Sequence, residues 1–231
     1  MRALLIKNYI FFLILLLSLI FAIFCIKKLA NFYQSKNHIS TRKPEYPVLD
    51  VIINRWSSRA MSGQEISDQE LMSLFEAAKW APSPFNNQPW RFIYVKRNSS
   101  KWQDVLSLLY QGNRLWSKDA AVLVLALSYK YSGPDKKLSR THSFDTGGAC
   151  QNLAIQGCYM GLVVHPVEGF DYEKTREFFK IDPNYDIEVM YVIGRPGNPE
   201  SLPENLRKLE QKSGRKNIAQ FVFKDEFNDK I

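Results

Sequence analysis

Ala81-Pro82-Ser83-Pro84-Phe85-Asn86-Asn87-Gln88-Pro89-Trp90 stops a helical pattern at its first proline and runs straight into the strand-like Arg91-Phe92-Ile93-Tyr94-Val95. Proline fixes φ and carries no N–H, so Pro82, Pro84 and Pro89 make this stretch a rigid turn. Ser83, Asn86, Asn87 and Gln88 add short polar side chains able to grip a planar polar ligand. On local grounds it is equally a proline-rich connector between helix and strand. Upstream, Ser67-Asp68-Gln69-Glu70 has the S-x-x-E form of a capping box, and Leu71, Leu74, Phe75 and Ala78 follow at helical spacing. Ala81 precedes a proline, which disfavours helical geometry and ends the helix there.

Working outward, Val48 to Ile53 reads as a short helix leading to Asn54-Arg55-Trp56-Ser57-Ser58-Arg59. Two guanidiniums around two hydroxyls can form an anion site, although a charged helix end gives the same pattern. Downstream, a helix is expected over Trp102–Tyr110, ending in Gln111-Gly112-Asn113-Arg114. Ala120 to Leu127, continuous and rich in valine and leucine, reads as a fully buried strand. Tyr129–Ser143 is polar and reads as a loop. Asp145 to Met160 reads as a central helix whose Gly147, Gly148, Ala149, Ala154 and Gly157 permit close packing. A short helix over Tyr172–Phe179 and a strand over Ile187–Ile193 complete the pattern.

At 231 residues and 45% hydrophobic content, the chain suits one globular domain with one core plus an accessory segment. The formal net charge of +8 is concentrated at the N-terminus. Arg2, Lys7, Lys27, Lys28, Lys36, Arg42 and Lys43 precede residue 45 with no acidic residue among them, and the rest is nearly neutral. A groove for nucleic acid is therefore not expected. Cys25, Cys150 and Cys158 lack disulfide-framework or zinc spacing, His38, His142 and His165 are scattered, and no metal site is expected.

Tyr9 to Ile26 is apolar except for Ser18. At about 1.5 Å per helical residue, such a run nearly matches the roughly 30 Å hydrocarbon core of a bilayer. Residues 4–26 are therefore expected to form an uncleaved single-pass membrane anchor, because the run exceeds a signal-peptide core and no small-x-small cleavage site follows. The expected organisation is an anchor over 1–30, a juxtamembrane linker over 31–47 and a globular domain over 48–231. The basic residues after the anchor outnumber Arg2 and Lys7 before it, which favours a cytoplasmic domain.

The run A-P-S-x-x-N-x-Q-P-W-x-F resembles the signature of the nitroreductase family of FMN-dependent oxidoreductases, and further elements follow in family order from about Arg55 to Phe221. Arg55, Ser57 and Arg59 match an R-x-S-x-R/K element that holds the FMN phosphate and reaches the flavin's pyrimidine edge; Trp56 stands where relatives often have Arg or His. Pro82, Ser83, Pro84, Asn86 and Gln88 match flavin contacts. Asn113 aligns with an asparagine that reaches the ring, whereas local chemistry alone reads it as a helix C-cap beside Gly112. Asp145, Gly147, Ala149, Gln151, Asn152 and Leu153 match the D-x-G-x-A-x-Q-N-L helix of a homodimer interface. Glu168 and Gly169 fall on a loop whose backbone amides face flavin N5. Arg215 and Lys216 match the closing segment, with Arg215 expected at the phosphate and Asn217 in place of the usual proline.

The resemblance implies an α+β fold with a central mixed β-sheet flanked by helices, and a homodimer with one FMN at each end of its interface. It implies ping-pong chemistry, with NAD(P)H delivering hydride to flavin N5 and an electron-poor acceptor such as a nitroaromatic or quinone then taking it. The flavin performs the chemistry, no catalytic side chain is required, and Arg59 beside N1 and O2 would stabilise the reduced ring. Two alternatives stay open. One is a reductive dehalogenase or flavin-modifying enzyme on the same fold, although the short Tyr129–Ser143 loop lacks the insert of iodotyrosine deiodinases. The other is a non-catalytic, membrane-tethered FMN-binding module.

Overall fold

The apolar run after Ala120 becomes a strand covered on both sides, and the rest of the body is layered around it. The computed structural model describes residues 15–23, 26 and 42–227. In chain order these form α1 (Asp50–Asn54), α2 (Asp68–Lys79), β1 (Trp90–Lys96), α3 (Trp102–Leu108), α4 (Gln111–Ser117), β2 (Val122–Tyr129), β3 (Tyr131–Ser132) and β4 (Lys137–Leu138). They continue with α5 (His142–Tyr159), β5 (Val163–Val167), α6 (Tyr172–Phe179), β6 (Tyr185–Gly194) and α7 (Glu204–Arg207).

Alternate residues of a strand face opposite sides. Val122, Val124 and Ala126 pack with Leu71, Leu74 and Ala78 of α2 and with Ala149, Leu153 and Ala154 of α5. Leu123, Leu125 and Leu127 pack with Trp102 and Val105 of α3, Trp116 of α4 and Phe170. The single expected core is thus two apolar layers, because the sheet is covered on both faces.

The sheet order is β1-β2-β6-β5. Every neighbouring pair is antiparallel, which corrects the expected mixed sheet. Strands β2 and β5 run the same way around the crossover helix α5, but β6 lies between them, so the described strands contain no parallel neighbours. A shift of register between Ala126 and Leu127 leaves Glu188 as the extra residue of a bulge in β6.

Other expectations needed adjustment. Residues 129–143 are not an open loop, because β3 pairs with β4 across a turn in which Gly133 has φ +70°. Helix α5 starts at His142, one turn earlier than expected, and Asp145 sits in that first turn with its carboxylate accepting from the Thr141 hydroxyl at 3.1 Å. Asn113 lies inside a further helix, α4, and does not cap α3. Leu109 breaks the two apart by adopting extended backbone and bridging Phe170.

The capping box at Ser67 and Glu70 is formed in both directions. The proline-rich turn that follows α2 places Phe85, Asn86 and Gln88 in the left-handed region, at φ 53°, 55° and 49°. Left-handed backbone costs about 1 kcal/mol or more for residues other than glycine, so neighbouring groups must fix it. The Ser83 hydroxyl accepts from the Gln88 N–H at 2.9 Å, Gln88 Nε2 donates to the Asn86 carbonyl at 3.1 Å, and Asn87 Nδ2 donates to the Tyr131 carbonyl at 3.2 Å.

The chain divides into two units between Ile39 and Ser40. The body therefore begins earlier than Val48, and Arg42 and Glu45, expected in the linker, belong to it. Of the expected anchor, residues 15–23 and Ile26 are helical. The remainder of residues 4–26, with Cys25, and the linker up to residue 41, with His38, lie outside the described residues. Among the described residues no helix is long and apolar enough to cross a membrane.

Helix α5 approaches β5 so closely that a Cβ at Gly157 would overlap Val164 Cγ2. Gly157→Ala should destabilise the body by about 2 kcal/mol, as expected for overpacking, in urea unfolding followed by circular dichroism. Adding Val164→Ala removes the overlapping methyl, so the double variant should lose less stability than the sum of the two single changes.

Candidate active site

Arg55 to Ala60 runs between α1 and Met61 without helix or strand bonds. Ser58 and Ala60 are buried, while Arg55, Trp56, Ser57 and Arg59 are half-buried. The stretch is fixed by Glu210, whose side chain is 2% exposed. Its carboxylate accepts from the Ser58 hydroxyl at 2.5 Å, from the Arg59 N–H at 2.9 Å and from the Ala60 N–H at 3.0 Å. The Arg59 guanidinium lies 4.0 Å away. On the β5 side, His165 Nδ1 stands 2.8 Å from the Ser58 carbonyl, so that nitrogen carries the proton and donates.

Cations gather beside this stretch. Arg42 donates through its guanidinium to the carbonyls of Ile53 and Arg55, both at 2.9 Å, and to the Ser213 carbonyl at 2.8 Å. Arg215 bonds its own loop, at the Ser213 hydroxyl and the Gly214 carbonyl. Lys212 donates to Asn54 Oδ1 at 3.3 Å. Burial first, and the neighbouring Arg215 second, lower the pKa of both Arg42 and Arg55. Burial and then Arg42 lower that of Lys212. Mutual repulsion of this kind is relieved by an anion, and a phosphate monoester offers both the charge and oxygens for the guanidinium forks. The Ser57 hydroxyl has no hydrogen-bond partner among the described residues and can add a donor.

Strand β5 leads from this cluster to Glu168 and Gly169. The Gly169 carbonyl accepts from the Tyr110 N–H at 3.0 Å and from Asn113 Nδ2 at 3.1 Å, while no described group accepts from the N–H of Glu168 or Gly169. Beside them opens a hollow of about 320 Å³ lined by Tyr110, Glu168, Gly169, Phe170 and Tyr172. A side chain at Gly169 would meet Asn113 Nδ2 at 2.6 Å, so the glycine permits this close approach. Trp116, one turn after Asn113, packs its ring 4.5 Å from that of His165.

The structure thus brings Arg55, Ser57, Arg59, Asn113, Glu168, Gly169 and Arg215 together along the β5 edge. Lys216 follows Arg215 in the chain and is exposed. Pro82, Ser83, Pro84, Asn86 and Gln88 precede β1, the opposite edge strand. Three interstrand steps of roughly 4.8 Å put about 14 Å between those edges, so one chain does not bring the two groups together. Glu210, His165 and Arg42 are site-building residues that sequence reasoning missed. Nothing near Glu210 or Arg42 in the sequence marks a partner more than a hundred residues away.

Removing the Glu210 carboxylate strands two backbone donors and a hydroxyl. Glu210→Ala should cost about 3 kcal/mol in urea unfolding, in line with buried groups left unsatisfied. Burial, aided by Arg59 and Arg55 and opposed by the Ser58 bond and Glu210, pushes the His165 pKa from 6.5 down to about 4. As pH falls below about 6.5 the unfolded chain takes up this proton and the folded protein does not, so acidification destabilises the fold until about pH 4. The slope contributed is at most about 1.4 kcal/mol per pH unit. Unfolding midpoints between pH 4 and 7 should lose that part of their pH dependence in His165→Asn.

The family model described as the Nitroreductase family matches residues 52–115 and 101–195. Protein DrgA of Synechocystis sp. is 29% identical over 156 residues, covering 56% of this chain and 74% of that protein. An Archaeoglobus fulgidus protein provisionally named NADH dehydrogenase/NAD(P)H nitroreductase is 28% identical over 165 residues, covering 68% and 89%. The crystal structure of an oxidoreductase containing FMN superposes with a TM-score of 0.81 at 34% identity, covering 84% of this chain and all of that one. The layered sheet therefore has its counterpart in known proteins, and the chain belongs to the nitroreductase family.

Proposed function

We propose that this oxidoreductase is a membrane-tethered homodimer that uses FMN and NAD(P)H to reduce an electron-poor acceptor such as a nitroaromatic or quinone, in ping-pong fashion. The observation that carries the reading is the cation cluster around the Arg55–Arg59 stretch, joined by β5 to the amides of Glu168 and Gly169, which have no partner among the described residues. When bound, FMN supplies the hydride chemistry, accepting from NAD(P)H and giving to the acceptor.

The residues divide the remaining tasks. Arg55, Ser57, Arg215 and Lys216 hold the phosphate, by charge and by hydrogen bonds. Arg59 stands at the pyrimidine edge, where its charge favours an anionic ring. The amides of Glu168 and Gly169 face the reacting edge, and Asn113, fixed by the Gly169 carbonyl, orients toward the ring. Pro82, Ser83, Pro84, Asn86 and Gln88 come from a second copy, because within one chain they stand at the far edge of the sheet. The fully exposed Phe85 and the exposed Trp80 and Phe144 support such a copy, which would cover them. The apolar N-terminal run, whose residues 15–23 are helical with exposed leucines, supports the tether, and the basic residues that follow it favour a cytoplasmic body.

Full-length protein should be recovered from salt-washed membranes, migrate as a dimer in detergent and be yellow. Adding NADPH or NADH without oxygen should bleach the flavin absorbance, and a quinone should restore it. Colourless protein that takes up no added FMN would overturn the reading. Yellow protein that no nicotinamide bleaches would favour the non-catalytic module, and recovery in the soluble fraction would remove the tether.

A further inference from the structure

Arg42 lies outside the family-matched residues, in a stretch whose sequence looks like a tether, yet its guanidinium is part-buried and committed to two distant segments. Its Nε donates to the Ser213 carbonyl across a separation of 171 residues, and one terminal nitrogen donates to the carbonyls of Ile53 and Arg55. Two further bonds join the same segments. Glu45 Oε1 accepts from the Ile218 N–H at 2.9 Å, and Asn54 Oδ1 accepts from Lys212. The chain before α1 and the chain after α7 are thereby laced together where Arg55 and Arg215 stand.

We propose that Arg42 is a positioning residue of the anion site, clamping the backbone that carries Arg55 to the backbone that carries Arg215 and adding a third guanidinium to the group that receives a phosphate monoester. This rests on the FMN reading above. Two features separate it from an ordinary structural arginine. Its anchors are the carbonyls of Arg55 itself and of Ser213, two residues before Arg215, so displacing it moves both phosphate-side cations. Its charge also acts on theirs, since Arg215 and Arg55 both oppose its protonation. A fold that brings these cations together is relaxed by a bound dianion, which gives Arg42 a direct electrostatic share in binding it.

The test uses detergent-solubilised full-length protein stripped of flavin and titrated with FMN and, separately, with riboflavin, which has the ring but no phosphate. Flavin fluorescence reports binding. Wild type should prefer FMN. Arg42→Ala should weaken FMN by about 10-fold or more, the scale of a lost charge-assisted contact, and leave riboflavin within about 2-fold. Arg42→Lys keeps the charge but cannot fork to three carbonyls, so it should fall between them, with a roughly 3-fold loss for FMN. Equal loss of both flavins, or loss of neither, would overturn the proposal. If Arg42→Ala does not fold, an FMN-to-riboflavin ratio for Arg42→Lys equal to wild type would overturn it. Wild type that binds neither flavin would sink the FMN reading, an outcome distinct from failure of the arginine's role.

Discussion

One buried carboxylate determines what the candidate site can be. A stretch without helix or strand bonds of its own can hold side chains toward a ligand only if its backbone is pinned. Glu210 does the pinning, taking the N–H groups of Arg59 and Ala60 and the hydroxyl of Ser58. The His165 ring adds a bond to the Ser58 carbonyl from β5. With the backbone from Ser58 to Ala60 held in this way, the half-buried Arg55, Ser57 and Arg59 flank a fixed stretch. Pre-arranged donors of this kind need little reorganisation when an anion arrives.

The layered sheet supplies the second constraint. Because both faces of β2 are covered, no cleft can open over that strand. At the β5 edge stand the cations, the unpartnered amides and the hollow beside Tyr110 and Tyr172. At the β1 edge stands the proline-rich turn with its three left-handed residues. The expected contacts are divided between the two edges, and the proposed second copy would complete them.

Much of this was legible in the sequence wherever a single local rule governed. The capping box of α2 and the doubly buried run of β2 each follow from the geometry of one element. The directions of the strands were not legible, since side-chain alternation is the same for parallel and antiparallel neighbours. Nor was the break between α3 and α4, where no proline or glycine marks Leu109 and the helix yields to a bridge with Phe170. Gly112 and Asn113 imitate a helix end but lie inside α4. Glu210 and Arg42 were invisible for a different reason. Each acts through backbone groups of a remote segment, and a backbone carbonyl or N–H leaves no trace in residue identity.

The lacing of the two ends of the body also sets an order in time. Arg42 with Ser213, Glu45 with Ile218 and Ser58 with Glu210 are contacts between the start and the close of the domain, separated by 171, 173 and 152 residues. None can form while the closing segment is still inside the ribosome, and contacts of such long range carry the loop-closure entropy that slows folding. The layered sheet can assemble during synthesis, but the proposed anion site matures last. Cofactor capture is therefore an event of the completed chain, and a nascent or C-terminally clipped protein would hold a nearly whole fold with no place to keep its ligand.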